Sequence, residues 1–436
     1  MKNMRLCLIA LMSITALLLA SCAAVPGSTT IPTSTGSVSV GGEDLMAAVK
    51  AAPNQGAIQV PEPDFLTGIS RFSATLLLES GKNKGNVMVS PLSVFLALAM
   101  TVNGADSDTR DDMLKVLTDG ALTVDQVNEV SRNLIGLLEK SEPKTQVSIA
   151  NSIWFRQGFK PFQPFLQANA DYYGAGARSL DFSSDSATEA INGWVERETM
   201  GLIEKIVNRI SPTTVMYLIN TVYFKSDWQE PFLKHETRAQ TFQTPDGGIE
   251  IDFMHRTAPM AYFTGQDAIG VALPYANTQY AFFALLPDNG QGPRGWLSQQ
   301  DPAGLFGQIG LWMAQKANFT VSLALPKFEA SYEDVLNNEL QTLGMAVAFD
   351  GGSADFSRLN EARSKGLYIS EVRHKTVIRV DEKGTEATAA TSVAIDESAV
   401  SSDVELVFDH PFLYGILDTK TGLPLFVGIL EDPAGD

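Results

Sequence analysis

Residues 381–403 read DEKGTEATAATSVAIDESAVSSD. A charged start and one glycine give way to small and β-branched residues, then to a polar, acidic end. Beyond Gly384, alternate positions sort into two sets. Thr385, Ala387, Ala389, Thr391, Val393 and Ile395 form one set, which grows more apolar along its length. Glu386, Thr388, Ala390, Ser392, Ala394 and Asp396 form the other, which is small or polar. A period of two predicts a strand with one buried face. The same Ala, Ser and Thr content also fits a linker, so spacing alone leaves both readings open. Gly384 interrupts the strand-like run KTVIRVDE and permits backbone angles closed to other residues, which makes it a natural hinge.

Working outward, the chain begins MKNMRLCLIALMSITALLLASC. Lys2 and Arg5 precede an apolar run too short to span a bilayer comfortably, the pattern of a signal peptide over residues 1–21. The ending Leu19-Ala20-Ser21-Cys22 has the form of a bacterial lipoprotein signal, with Cys22 as the lipidated residue; the alternative is an ordinary secretory signal cleaved near Ser21. Residues 22–63 are rich in Ser, Thr, Gly, Pro and Ala, and read as a flexible low-complexity tether. About 40 such residues span roughly 35 Å root-mean-square. Residues 64–436 read as one large domain without internal repeats. Phe65, Ile69, Phe72, Leu76 and Leu77 fall on a helical stripe. SPLSVFLALAMTVNGA predicts a second helix and INGWVERETMGLIEKIV a third. Strands are predicted in TVMYLINTVYF, AYFTG, IGVALPY, YAFFALLP, FTVSLALPKFEA and KTVIRVDE. FLYGILDTKTGLPLFVGIL predicts a hairpin. Helices come first and sheet later, the order of an α+β fold.

Composition narrows the function. The net charge of −18 disfavours nucleic acid as a partner. The two cysteines, Cys7 and Cys22, both fall at the leader, so the mature domain has neither disulfide nor thiol chemistry. His235, His255, His374 and His410 are the only histidines, and none has metal-ligand spacing. G-x-S-x-G, phosphate-loop and dinucleotide motifs are absent. No enzyme, no metal and no cofactor are expected.

The quoted stretch is similar to the reactive-loop hinge of the serpins, a family of serine protease inhibitors. NVMVSPLSVFLALAM, VSIANSIWF, INGWVERETMGLIEKIV, LINTVYFKSDWQEPF, LPKFEASYEDVLNNELQTLGM and DHPFLYGILDTKTGLPLFVGIL resemble other family blocks, in family order, across Phe65 to Pro433. The resemblance implies the serpin fold, α+β with about nine helices around three β-sheets and an exposed reactive-centre loop. It also implies a mechanism: a target protease cuts the loop and forms an acyl-enzyme, and the cut loop then enters the large sheet as a new strand and distorts the protease. The residues are compatible with this. An inserting strand needs its ladder donors, and 381–403 contains no Pro. Inserting about 12 residues forms roughly a dozen bonds of net ~0.5–1.5 kcal/mol each. The total, on the order of 10 kcal/mol, rivals the stability of a whole domain, so the uninserted form would be a kinetic trap.

Residue roles follow the same resemblance. Glu382, Gly384, Thr385, Glu386, Ala387, Thr388, Ala389 and Ala390 form the hinge. Ser90, Ser93, Asn220 and His374 form a polar shutter where strands part. Trp228, Lys327 and Glu382 form the breach where insertion starts, with an exposed Glu382–Lys327 pair holding the hinge outside. The reactive bond counts to Ser398–Ala399 from Glu382, to Val400 from the downstream Asp409-His410-Pro411-Phe412, with Glu397 as a third candidate. No Lys or Arg lies between Lys383 and Lys420, which disfavours a trypsin-like target. The expected activity is suicide inhibition of elastase-, chymotrypsin- or subtilisin-like serine endopeptidases, with cysteine proteases as further targets; the alternative is a non-inhibitory serpin acting as a surface binding module. The expected protein is an exported monomer, lipid-anchored at the cell surface or periplasmic side of the envelope, or secreted if not lipidated.

Overall fold

Helix α1 (Pro63–Ser80) buries the predicted stripe: Phe65, Ile69, Phe72, Leu76 and Leu77 are each no more than 1 % exposed. In the computed structural model, residues 41–52, 62–83, 85–139, 144–211, 213–265, 267–288, 290–315, 319–385 and 402–435 are described. Helix α2 (Pro91–Val102) starts where Ser90 Oγ accepts the Ser93 N–H at 3.4 Å, with Pro91 at its first position. It is buried over almost its whole length. The remaining helices are α3 (Ser107–Thr118), α4 (Val124–Leu138), α5 (Gln163–Tyr173), α6 (Asp185–Glu198), α7 (Gly292–Leu297) and α8 (Leu305–Met313). Short helical turns, α9 (Asn337–Leu340) and α10 (Ala346–Phe349), flank a kink at Gly344.

The third predicted helix is shifted. INGWVERETMGLIEKIV predicts a helix to Val207, yet α6 ends at Glu198. Thr199 turns its hydroxyl back onto the Val195 carbonyl, and Met200 and Gly201 adopt positive φ of 51° and 84°. Asn192 then accepts the Ile206 and Val207 N–H groups, which folds the segment back along the helix.

The large sheet has the order β1 (Glu43–Asp44), β4 (Gly176–Leu180), β3 (Thr145–Arg156), β5 (Met216–Asp227), β13 (Gly384–Thr385), β12 (Arg373–Val380), β11 (Phe328–Val335). The second sheet path runs β14 (Val404–Val407), β10 (Phe319–Pro326), β7 (Gly247–Gly265), β8 (Ala268–Pro274), β9 (Tyr280–Pro287), β15 (Phe412–Asp418), β16 (Pro424–Leu430), β2 (Val87–Val89), with β6 (Arg238–Thr244) also on β7. The resemblance implies three sheets. Two of them are joined here, because β7 is long enough to serve both. Residues 247–260 of β7 pair with β6 and β10, while 261–265 pair with β8.

One part of the expected tether lies against the domain instead. Glu43 and Asp44 pair with Ser179 and Arg178 on the edge strand β4. The Leu45 N–H reaches the Ala177 carbonyl at 3.0 Å, Gln167 donates to the Lys50 carbonyl, and Asp171 accepts the Ala52 N–H. Leu45, Met46 and Val49 pack on the core. The segment 41–52 has the few apolar groups it needs to cover a sheet edge. Cys22 and the signal segment lie outside the described residues.

Candidate functional site: a slot in the large sheet

β5 and β12 face each other across the large sheet without pairing. Among the described residues, the only link between them is β13, the two hinge residues Gly384 and Thr385. Thr385 sits opposite Ser226 on one side and Val380 on the other. Beyond it opens a slot of about 190 Å³, walled by β5 from Met216 to Phe224 and by β12, and floored by Ser93, Val94, Ala97 and Leu98 of α2. A strand edge that lacks a neighbour is a template for another strand.

The resemblance places the hinge in an uninserted loop, whereas Gly384 and Thr385 are already seated. Their seat explains why glycine stands at 384, and the reason is not the hinge angle expected from sequence. A Cβ there would lie 2.0 Å from the Ser226 carbonyl oxygen, so only glycine allows the chain to enter beside β5. Thr385 is 2 % exposed, and its hydroxyl lies 2.5 Å from the Tyr275 hydroxyl. Tyr275 is fully buried, stacked on Trp228 at 4.8 Å, with its phenol pushed up by burial against the smaller pull of Thr385.

The turn before the seat is held at several points. Trp228 donates its backbone N–H to the Lys383 carbonyl and its indole N–H to the Asp381 carbonyl. The Phe232 N–H reaches the Glu382 carbonyl at 2.8 Å. Asp381 Oδ1 accepts the N–H groups of Lys383 and Gly384. Glu382 is 5 % exposed, and its carboxylate accepts Thr237 Oγ1 at 3.0 Å and Lys327 Nζ at 3.1 Å. Burial would raise its pKa, but its own backbone N–H, Lys327 and Thr237 together hold it below the ordinary carboxylate value. The pair expected to be exposed is therefore lopsided: Lys327 is 43 % exposed at its side chain and Glu382 only 6 %. Removing Lys327 would strand a buried carboxylate, which costs more than a surface pair contributes.

Farther along the slot, the four residues assigned to the shutter come together as two pairs, Ser90 with His374 and Ser93 with Asn220, joined by the Ser93 N–H on Ser90 Oγ. His374 on β12 is buried and accepts the Ser90 N–H on Nε2 at 3.1 Å, which puts its ring proton on Nδ1. Burial lowers its pKa to about 4, with Asp334 a smaller opposing influence. Asn220 on β5 instead donates to Asn151 Oδ1 at 2.8 Å, while Ser93 Oγ reaches the Asn220 carbonyl. Asn151 in turn donates to the Tyr173 carbonyl. Three buried polar atoms on the slot-lining residues lack partners: Asn220 Oδ1, Thr221 Oγ1 and Arg373 Nε.

Tyr275, Thr237, Asp381 and Asn151 escape the sequence reading. Tyr275 meets Thr385 across 110 residues, and nothing local to IGVALPY marks its hydroxyl. The assigned residues Glu386, Ala387, Thr388, Ala389, Ala390, Glu397, Ser398, Ala399 and Val400 lie outside the described residues. Beyond them, β14 runs parallel to β10. Among the described residues, no helix is long and apolar enough to cross a membrane.

A family model described as serpin (serine protease inhibitor) matches residues 67–433. A serpin-like protein of Thermococcus kodakarensis is 34 % identical over 384 residues, covering 85 % of this chain and 86 % of its own. The leukocyte elastase inhibitor of Xenopus tropicalis is 30 % identical over 377 residues, covering 84 % and 98 %. The crystal structure of tengpin, a thermophilic serpin, in its native state superposes with a TM-score of 0.82 at 36 % identity, over 90 % of this chain and 99 % of that one.

Proposed function

The chain belongs to the serpin family, and on that premise we propose that it is a suicide inhibitor of serine endopeptidases that traps its target by inserting the cut loop into the slot between β5 and β12. The observation that carries this reading is the seated Thr385, because it sets a register for everything after it. Continued along both walls, that register sends Ala387 between Phe224 and Ile378, and Ala389 between Val222 and Thr376. Thr391 falls between Asn220 and His374, and Val393 between Leu218 and Val372. In the inserted form Val393 would meet the apolar Leu218 and Val372, and Thr391 would bring a hydroxyl donor to the orphaned Asn220 Oδ1. The two-set pattern of the sequence thus fits the slot in one register, and a shift by one residue would turn every side chain to the wrong face.

The target preference follows from Glu397 to Val400. Ser398, Ala399 or Val400 suits a shallow or apolar pocket such as that of an elastase, chymotrypsin or subtilisin; Glu397 suits a pocket that accepts acid. A relative named for inhibition of leukocyte elastase supports the small-residue reading. The test is incubation with elastase, chymotrypsin, trypsin, subtilisin and papain, read by denaturing gel and by the mass of the released peptide. A covalent band with at least one of them is expected, with trypsin poorest. Cleavage by all five without any such band would refute inhibition. The Leu19–Cys22 pattern supports a lipid anchor on Cys22 at the cell envelope. Cys22→Ser should then leave the membrane fraction and keep its inhibitory activity; a membrane-bound variant would overturn the anchor.

A further inference from the structure

We propose that Tyr275 is a positioning residue for insertion: its hydroxyl latches Thr385 between β5 and β12 before any protease arrives, so that the loop enters from a strand whose first residues are already paired. The inference rests on the insertion reading for its effect on inhibition, but the latch itself is a property of the intact molecule.

The post is rigid. The Tyr275 ring stacks on Trp228 at 4.8 Å and 11° and meets Phe224 edge-on at 4.9 Å. Its backbone is tied to Tyr280, and it bridges to Trp228. Trp228 holds the same turn from the other side, through the Lys383 and Asp381 carbonyls. The hydroxyl therefore stands at a fixed point, and Thr385 Oγ1 reaches it with both residues buried. Expelling the hinge would take away the buried phenol hydroxyl's protein partner, and a buried polar group left without a partner favours the state that restores it. Gly384 adds a steric condition, since its missing Cβ lets Thr385 come level with Ser226. A loop whose first residue is seated skips the unfavourable step of parting the strands at that end, much as a helix grows easily once its first turn exists.

Hydrogen exchange on the intact protein reads the latch directly. The amides of Trp228, Phe232 and Asp381 donate to the carbonyls of Lys383, Glu382 and Gly384, so they report whether the turn is seated. Tyr275→Phe keeps the ring and removes the hydroxyl; Thr385→Val keeps the shape and removes its partner. Each should speed exchange of those three amides about tenfold, equivalent to about 1.4 kcal/mol. The double variant should be no faster than either single variant, and Thr385→Ser should restore slow exchange. In the inhibition assay, either single variant should slow insertion about tenfold and raise the stoichiometry of inhibition, with the rate of encounter unchanged. Unaltered exchange in both single variants, or additive effects in the double, would overturn the latch. Should the wild type inhibit no protease, the proposed function fails while the exchange experiment still decides the latch.

Discussion

The two ends of the contact between the hinge turn and the slot differ in how completely their polar groups are satisfied. Beside Trp228, the carboxylate of Glu382, the carbonyls of residues 381–383 and the hydroxyl of Thr385 all have partners. About six residues along β5, roughly 20 Å away, Asn220 Oδ1, Thr221 Oγ1 and Arg373 Nε are buried without any. His374 and Asn220 look across the slot but bond to different neighbours, Ser90 and Asn151. One end is a finished strand junction; along the other, no strand lies between β5 and β12 among the described residues. On the proposed mechanism the difference implies a direction: insertion would begin at the completed end, and its gain would be collected along the incomplete one.

Filling the incomplete end should give the largest effect. If a nick between Glu397 and Val400 lets the loop insert as proposed, about a dozen new ladder bonds would be worth on the order of 10 kcal/mol. The nicked protein should melt at least about 10 °C above the intact one, measured by differential scanning calorimetry on both. Equal melting temperatures would mean that the slot is never filled and the contrast between its ends has no energetic meaning.

Blocking the completed end comes next. Thr385 is 2 % exposed between Ser226 and Val380, with no room for a guanidinium. Thr385→Arg should still be cleaved by the target protease but yield no covalent complex, because the first seat cannot form. Persistence of the complex at wild-type yield would break the proposed order of events.

Acid should separate the two ends by pH. Burial lowers the pKa of His374 to about 4, below the ordinary histidine value, so the unfolded chain takes up its proton first. Stability from the neutral ring is complete above about pH 6.5 and is lost as pH falls toward 4, by at most about 3 kcal/mol. A protonated Nε2 can no longer accept the Ser90 N–H. Glu382, held below the ordinary carboxylate value, contributes stability at neutral pH that is lost only as pH falls through its folded value, in a more acidic range. The slot interior should therefore loosen before the junction. Urea midpoints between pH 7.5 and 4.5 should fall less steeply for His374→Gln than for wild type. His255, whose pKa burial and Arg238 also lower, remains in both proteins, so the difference isolates His374. Parallel curves would remove His374 from the account.

Local periodicity made much of this readable. The α1 stripe, strand β9 at its observed limits and the hairpin of β15 and β16 follow from patterns within a few residues. The failures share a physical cause, namely partners distant in sequence. Asn192 ends the third helix early by capturing Ile206 and Val207. The segment 41–52 looks like linker until the edge of β4 is present to receive it. Gly384 reads as a flexible hinge, but its role comes from the Ser226 carbonyl. Family resemblance nominated Glu382, Lys327 and Trp228, yet it could not show that the carboxylate is buried while the ammonium is half in water. Nothing near Tyr275 announced its hydroxyl.

The smallest expected effect lies on the outer face of the slot. In an inserted loop that continued the register of Thr385, Glu386 would fall beside Lys225 on β5 and Arg379 on β12, and Arg379 already pairs with Glu329 at 3.0 Å. The inserted row would alternate in sign as Lys225, Glu386, Arg379, Glu329, which suits cross-strand neighbours. Arg379 is half exposed, so the contribution is only about 0.5 kcal/mol and is screened by salt. Glu386→Lys would place three cations side by side in the inserted form. It should raise the stoichiometry of inhibition modestly at about 20 mM salt and recover toward wild type at about 500 mM, because the Debye length shrinks below the spacing between strands. An effect indifferent to salt would place residue 386 elsewhere than between these two cations, and with it the register that Thr385 is argued to set.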